Sequence, residues 1–204
     1  MYGADSSLFS PGPPLDERPR EFLFVGQLIH RKDVLGLASA FAQFSRERPG
    51  WTLRICGSGE LRNRIPTHPQ IIVEDFVQPH ELASRYRSAR FLVLPSLIEA
   101  WGLVVHEASL CGCGLILSDA VGSGDDLASG RNAIRFQAGN RSELLAALLS
   151  AADRSSDWLI RAGSESRALA CNFGPQRFAS EIAGLISTVG RGSLESPSRF
   201  ARAN

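Results

Sequence analysis

Two kinds of apolar pattern alternate along this chain. Short, nearly continuous apolar runs occur at residues 21–26 (EFLFVG), 51–56 (WTLRIC), Ile71–Glu74, Phe91–Leu94, 115–117 (LIL) and Ala133–Phe136. Each is too short for a stable helix, and β-branched or aromatic residues recur in them, so each is predicted to be a strand. Phe91–Leu94 has no polar face at all, as expected of a strand covered on both sides in a parallel sheet. Between the runs lie segments whose apolar residues recur every three or four positions. The clearest is 33–46, where Leu35, Leu37, Ala38, Phe41 and Phe44 form the apolar stripe and Asp33 stands at the N-cap. Further helices are predicted over 80–89, Leu103–Leu110, Arg141–Ala152, 157–170 and 175–189, with a short one in the glycine-rich turn 120–127. Gly112 and Gly114 are expected to close the helix Leu103–Leu110. Six strands alternating with helices mean an α/β fold, a doubly wound, Rossmann-like parallel sheet.

The ends of the chain follow other rules. Residues 1–20 are rich in Ser and Pro and predicted to be an extended lead-in or interdomain linker. Residues 190–204 are polar and expected to be a disordered tail, which leaves 21–189 as the folded domain.

Composition narrows the function classes. The chain has 204 residues and a net charge of +1, which gives no electrostatic case for nucleic acid. No apolar run approaches the roughly 20 residues that span a bilayer. Nothing at the N-terminus resembles a signal peptide, so the expected location is cytoplasmic or peripheral at the inner membrane face. Cys56, Cys111, Cys113 and Cys171 make no disulfide framework. Cys111 and Cys113 flank Gly112 with no paired Cys/His cluster elsewhere, so they read as core residues and no metal site is expected. Lys is used once, at Lys32, against a background of Arg.

Candidate chemistry centres on FLVLPSLIEAWGLVVHEASLCGCGLILSD, residues 91–119. Glu99 lies in the loop after a strand, and Glu107 lies over two turns along on the helix that the loop feeds. Between them are the free N–H groups around Gly102, Leu103 and Val104, at the positive end of the helix dipole. A helix start suits a phosphate, and a carboxylate on either side can accept two hydrogen bonds from vicinal hydroxyls. A phosphate between two polyols describes a nucleotide sugar. Arg31 and Lys32 lie after the first strand, where open parallel sheets bind ligands. Both suit phosphate oxygens, although a solvated basic loop is the plain alternative. Gly57-Ser58-Gly59 follows the second strand, but Arg62 stands where a dinucleotide fingerprint needs its third glycine. A dinucleotide oxidoreductase is therefore disfavoured.

Glu99 and Glu107, within PSLIEAWGLVVHEASLCG, resemble the paired-glutamate motif of the retaining glycosyltransferases of family 4, the group 1 glycosyltransferases. YGADSSLFSP resembles the Gly-x-Asp-x-x-x-Phe-x-Pro segment with which that family enters its second domain, and the likeness runs from residue 3 to about 189. Asp33 and Leu115 depart from it, where Gly and Pro are common. The resemblance implies two Rossmann-like domains facing across a cleft (GT-B architecture), this chain being the C-terminal, donor-binding half. It implies transfer of a sugar from a nucleotide-diphosphate sugar with retention, to a glycan or lipid-linked acceptor. Catalytic roles then fall to Glu99, which would hold donor-sugar hydroxyls, and to Arg31 and Lys32 at the diphosphate. Donor-binding roles fall to Gly26, Gly57, Gly59, Val77, Gly102, Leu103 and Glu107, with Val77 near the base and Glu107 on the ribose diol. Neither metal nor cofactor is implied. The acceptor domain would have to come from elsewhere, as an N-terminal domain or a partner chain. Two other readings stay open: a non-catalytic nucleotide-sugar-binding module or remnant, and another enzyme on the same architecture, such as a nucleotide-sugar epimerase.

Overall fold

A computed structural model of the chain describes residues 3–174 and, beyond them, Ala179, Ile182, Ala183 and Ile186. Apart from those four positions, the predicted helix 175–189 and the tail 190–204 lie outside the described residues. The elements run β1 (Glu21–Val25), α1 (Val34–Glu47), β2 (Thr52–Cys56), β3 (Ile71–Glu74), α2 (Pro79–Ser88), β4 (Phe91–Leu94), α3 (Leu103–Leu110), β5 (Gly114–Ser118), α4 (Gly124–Leu127), β6 (Ala133–Phe136), α5 (Arg141–Ala152) and α6 (Ser156–Ala170).

All six strands form one sheet in the order β3-β2-β1-β4-β5-β6, and every pair is parallel. β1, β4 and β5 are buried at every position, because helices cover both faces of the sheet. β3 and β6 are the edge strands, and both are only partly buried. Right-handed crossovers that step from β1 towards β2, but from β4 towards β5, put their helices on opposite faces. α1 accordingly packs on α5, whereas α3 packs on α2 and α6. Phe22 of β1 anchors the core, stacked on Trp51 at 4.4 Å between centroids and met edge-on by Phe41 and Phe44.

The strand order reverses between β1 and β4. At such a switch point the loops leaving two neighbouring strands turn to opposite faces and open a crevice at the strands' carboxyl ends. Everything that follows is placed by that crevice.

Three local features differ from expectation. Gly112, at φ 77°, does close α3, but Gly114 is the first residue of β5. It is bare because Phe91 of the neighbouring strand lies against its Cα, where a Cβ would come within 2.6 Å of the ring. Asp33 stands at the N-cap of α1 as predicted, yet adopts left-handed backbone (φ 48°) and makes no capping hydrogen bond. It does so because His30–Lys32 form a 3-10 turn ahead of it, which hands the chain to α1 through a single αL residue.

Among its described residues the lead-in has no helix or strand, but it is packed onto the domain. Phe9 meets Tyr86 edge-on, and Leu15 is fully buried. Arg18, only 4% exposed, donates to the carbonyls of Pro13, Tyr86, Ala89 and Cys111. These include carbonyls at the C-terminal ends of α2 and α3, which no helical N–H can reach.

Candidate functional site

A cleft of about 320 Å³ opens at the carboxyl end of the sheet, where the topology calls for it. Its walls come from three strand ends and two helices: Val25, Gly26 and Gln27 at the end of β1; Cys56, Gly57 and Ser58 at the end of β2; Phe76 and Val77 after β3; Pro79 and Leu82 of α2; and Val104 and Glu107 of α3. Four of the sequence-predicted residues, Gly26, Gly57, Val77 and Glu107, thus meet in one space. Gly57 has to be bare, since a Cβ there would run into the carbonyl oxygen of Gly26. That close approach lets the β1 and β2 loops form one continuous wall. Gly59 lies outside the lining; it packs over the carbonyl of Leu28 and shapes the turn instead.

Glu107 faces the cleft from the one side of α3 that is not buried, together with Val104 and the exposed Leu103. Its carboxylate accepts a hydrogen bond of 2.8 Å from the Tyr86 hydroxyl, which fixes its direction. Burial raises its pKa, and the Tyr86 hydrogen bond opposes that only in part. Tyr86 is itself fully buried, with its own pKa pushed well up by desolvation and by the Glu107 charge. Tyr86 was not singled out in the sequence; its one trace there is a Tyr in the apolar register of α2, where Leu82 and Ala83 also point inward.

The three charged residues assigned to chemistry are Lys32, Glu99 and Arg31. Lys32 is 9% exposed, and its side chain runs past Gly26, whose added Cβ would stand 3.9 Å from the Lys32 Cε. Its ammonium pairs with Oε2 of Glu99. The same carboxylate oxygen accepts a weaker bond from the Ser96 hydroxyl at 3.4 Å. Backbone contacts hold the Glu99 loop: its N–H donates to Ala120, its carbonyl accepts from Gly122, and Leu97 N–H donates to the Arg31 carbonyl. Arg31 itself is exposed and has no carboxylate partner among the described residues.

Gly102 is the N-cap of α3 at φ 86°, a left-handed conformation that favours Gly. The Glu99 side chain crosses it, and a Cβ on Gly102 would sit 3.2 Å from the Glu99 Cγ. Val105 N–H turns back to the Gly102 carbonyl, so at the start of α3 the N–H groups of Leu103 and Val104 are the ones with no acceptor within the helix. Leu103 is half exposed there. Among the described residues, no three His, Cys, Asp or Glu side chains cluster as a metal site would need. Cys111 and Cys113 are buried at the α3–β5 junction, where the Cys113 thiol, pushed up to about 11 by burial, donates to the Tyr86 carbonyl.

Residues 19–154 match the family described as Glycosyl transferases group 1. The chain belongs to that family. Among curated relatives, the glycogen synthase of Mycobacterium tuberculosis (strain H37Rv) is 29% identical over 189 residues, covering 89% of this chain and 46% of that protein. The group 1 chain therefore spans about half the length of the curated relatives it matches. Among solved structures, Anabaena HepE in complex with UDP superposes with a TM-score of 0.77 at 18% identity, over 91% of this chain and 56% of that one. The C-terminal domain of a glycosyl transferase group 1 family protein from Francisella tularensis superposes with a TM-score of 0.70 at 18% identity, over 83% of this chain and 97% of that domain. The fold is that of one Rossmann-like half of a GT-B glycosyltransferase.

Proposed function

We propose that this chain, over its domain 21–189, is the donor-binding half of a retaining glycosyltransferase that uses a nucleotide-diphosphate sugar. One observation carries the reading: Gly26, Gly57, Val77 and Glu107 line one cleft at the switch point, and its wall at Gly26 touches the Lys32 side chain. A nucleoside fits the cleft with its base at the apolar Val77–Phe76 end and its ribose diol on the Glu107 carboxylate, which Tyr86 pre-aims. The diphosphate then reaches Lys32, Arg31 and the free N–H groups at the start of α3, including Leu103, where developing negative charge on the leaving group is stabilised without proton transfer. Glu99 holds hydroxyls of the transferred sugar. A UDP-bound protein of the same fold supports a nucleotide in this cleft, and the relative named as a glycogen synthase supports a glycan-type acceptor.

The acceptor is a glycan or lipid-linked glycan bound by a second domain. Phe76 and Ile98, 68% and 69% exposed, form an apolar fringe at the rim that such a domain would cover. The test is a titration of the purified chain with UDP, GDP and ADP, followed by heat or by melting temperature. One diphosphate is expected to bind, with several-fold weaker binding in Lys32→Ala and in Glu107→Ala. Unchanged binding in both variants would remove the assignment.

A further inference from the structure

At the rim of the cleft Lys32 and Glu99 neutralise each other. Lys32 has Glu99 as its carboxylate partner, and both side chains are nearly buried, at 11% and 12% exposed. The backbone around Glu99 is tied at Ala120 and Gly122, so only its side chain is free to swing. A diphosphate arriving at Lys32 therefore competes with a carboxylate already there. It succeeds at low cost only if Glu99 gains another partner at the same moment.

An intact nucleotide sugar supplies both halves of the exchange. Its phosphates take Lys32 and its sugar hydroxyls take Glu99. A nucleoside diphosphate supplies the first half alone, and leaves a nearly buried carboxylate with only the weak Ser96 contact or facing a phosphate of like charge. From this geometry, and resting on the donor-site reading above, we infer that Glu99 is a specificity-determining residue that favours the intact donor over the nucleoside diphosphate. It tightens the site around the substrate and helps expel the product once the sugar has left. The Lys32–Glu99 pair is the resting position of that exchange.

The inference makes a counter-intuitive claim: removing a charge from the site tightens one ligand. Glu99→Gln should bind the nucleoside diphosphate about tenfold more tightly than wild type, because Lys32 is released and the like charge is gone. The same variant should bind the intact nucleotide sugar more weakly, reversing the wild-type preference. Glu99→Asp, one methylene shorter and withdrawn from Lys32, should move in the same direction by less, and covers the case in which Glu99→Gln folds poorly. Adding Lys32→Met to Glu99→Gln should abolish the gain, since the freed ammonium is its source. The experiment is parallel titration of UDP, GDP and ADP, and of the corresponding nucleotide sugars, into wild type and these variants. A diphosphate that binds wild type and binds Glu99→Gln and Glu99→Asp equally or more weakly overturns the inference and leaves the donor site standing. No binding to wild type or to any variant overturns the donor-site reading and this inference with it.

Discussion

Among the described residues two cationic side chains, those of Arg18 and Lys32, are nearly buried, and they sit at opposite extremes of commitment. Arg18 is 4% exposed and spends its guanidinium on the carbonyls of Pro13, Tyr86, Ala89 and Cys111. Lys32 is 9% exposed and has one movable carboxylate partner beside an open cleft. The planar fork of Arg is matched to several fixed acceptors at once, while a Lys ammonium on a flexible stem can change partners. Burial alone says little about function. What separates the two is whether the partners can leave: backbone carbonyls cannot, and a carboxylate on a rotatable side chain can.

The largest effect that tests this contrast is expected at Arg18. Arg18→Met keeps the apolar stem but removes the N–H donors of the Pro13 and Ala89 carbonyls, and leaves Tyr86 with only the Cys113 thiol and Cys111 with only the Gly12 N–H. Each buried acceptor left without a donor costs about 1–3 kcal/mol. The variant should lose about 3 kcal/mol or more in denaturant unfolding, with unchanged nucleotide affinity in the protein that remains folded. A loss under about 1 kcal/mol would mean that water reaches these carbonyls and that Arg18 is no clamp.

Lys32→Met should show the opposite signature. Glu99 keeps only its 3.4 Å Ser96 contact, and turning its side chain towards the rim offsets part of the cost of an unpaired carboxylate, so the fold should lose about 1–2 kcal/mol, less than at Arg18. Diphosphate affinity should fall about tenfold or more, on the order of 1.4 kcal/mol, in calorimetric titration. If stability fell and affinity held, Lys32 would belong with Arg18 and the contrast would collapse.

Much of this architecture is legible in the residues and some of it is not, for a physical reason. Strands such as Phe91–Leu94 and helices such as Leu103–Leu110 and Arg141–Ala152 are read directly, because their apolar periods are local. The gathering of Gly26, Gly57, Val77 and Glu107 follows once the sheet is known to be doubly wound, because strand ends converge at the switch point. The 3-10 turn at His30–Lys32 was missed, since three residues carry no period, and Gly114 was misplaced because its reason is a ring on the neighbouring strand. The Arg18 clamp, the Tyr86–Glu107 bond and the Lys32–Glu99 pair join residues 21 to 93 positions apart or belong to unpatterned loops. Such pairings leave no local signature; only the fold brings them together.

A second contrast lies within two adjacent residues of α3, and its cleft side is Glu107. Because burial holds its pKa above the usual 4.5, the folded chain binds that proton more tightly than the unfolded chain does. The stability tied to this group is then present at low pH and lost as pH rises through the folded pKa, once the carboxylate ionises. Glu107→Gln should therefore melt slightly higher than wild type at pH 7, while binding the nucleoside diphosphate about three- to tenfold more weakly, about 1 kcal/mol. The affinity gap between wild type and variant should close on acidification, as protonation removes the acceptor that the ribose diol uses. Measuring the gap rather than either affinity cancels the ligand's own phosphate titration. A gap that stays constant down to pH 4 would mean that Glu107 does not act as a carboxylate.

The buried side of the same pair is His106, one position away and turned from the cleft. Its Nδ1 accepts the Ala4 N–H at 2.9 Å, which can only donate, so the ring proton must sit on Nε2 and point at the Ala170 carbonyl at 3.0 Å. The neutral ring thus ties the lead-in to the end of α6, and both nitrogens are used by partners that cannot leave. A second proton would have to displace the Ala4 bond, and burial lowers the pKa from its ordinary 6.5, with the Ala170 carbonyl opposing only in part. The sign follows: the stabilising contribution is complete above about pH 6.5 and is lost as pH falls through the lower, folded pKa, because only the unfolded chain accepts the proton freely. Denaturant unfolding of wild type between pH 7.5 and about 5 should show this fall, and it should be the smallest of the effects described. His106→Gln offers an amide oxygen and an amide N–H to the same two partners without titrating, so its profile should be flatter across that window while nucleotide affinity at pH 7 stays at the wild-type value. If the two profiles run parallel, the proton that weakens the fold binds elsewhere. If His106→Gln loses nucleotide affinity, the lead-in and the cleft are not separate, and fixed polar partners would no longer mark a residue as purely structural.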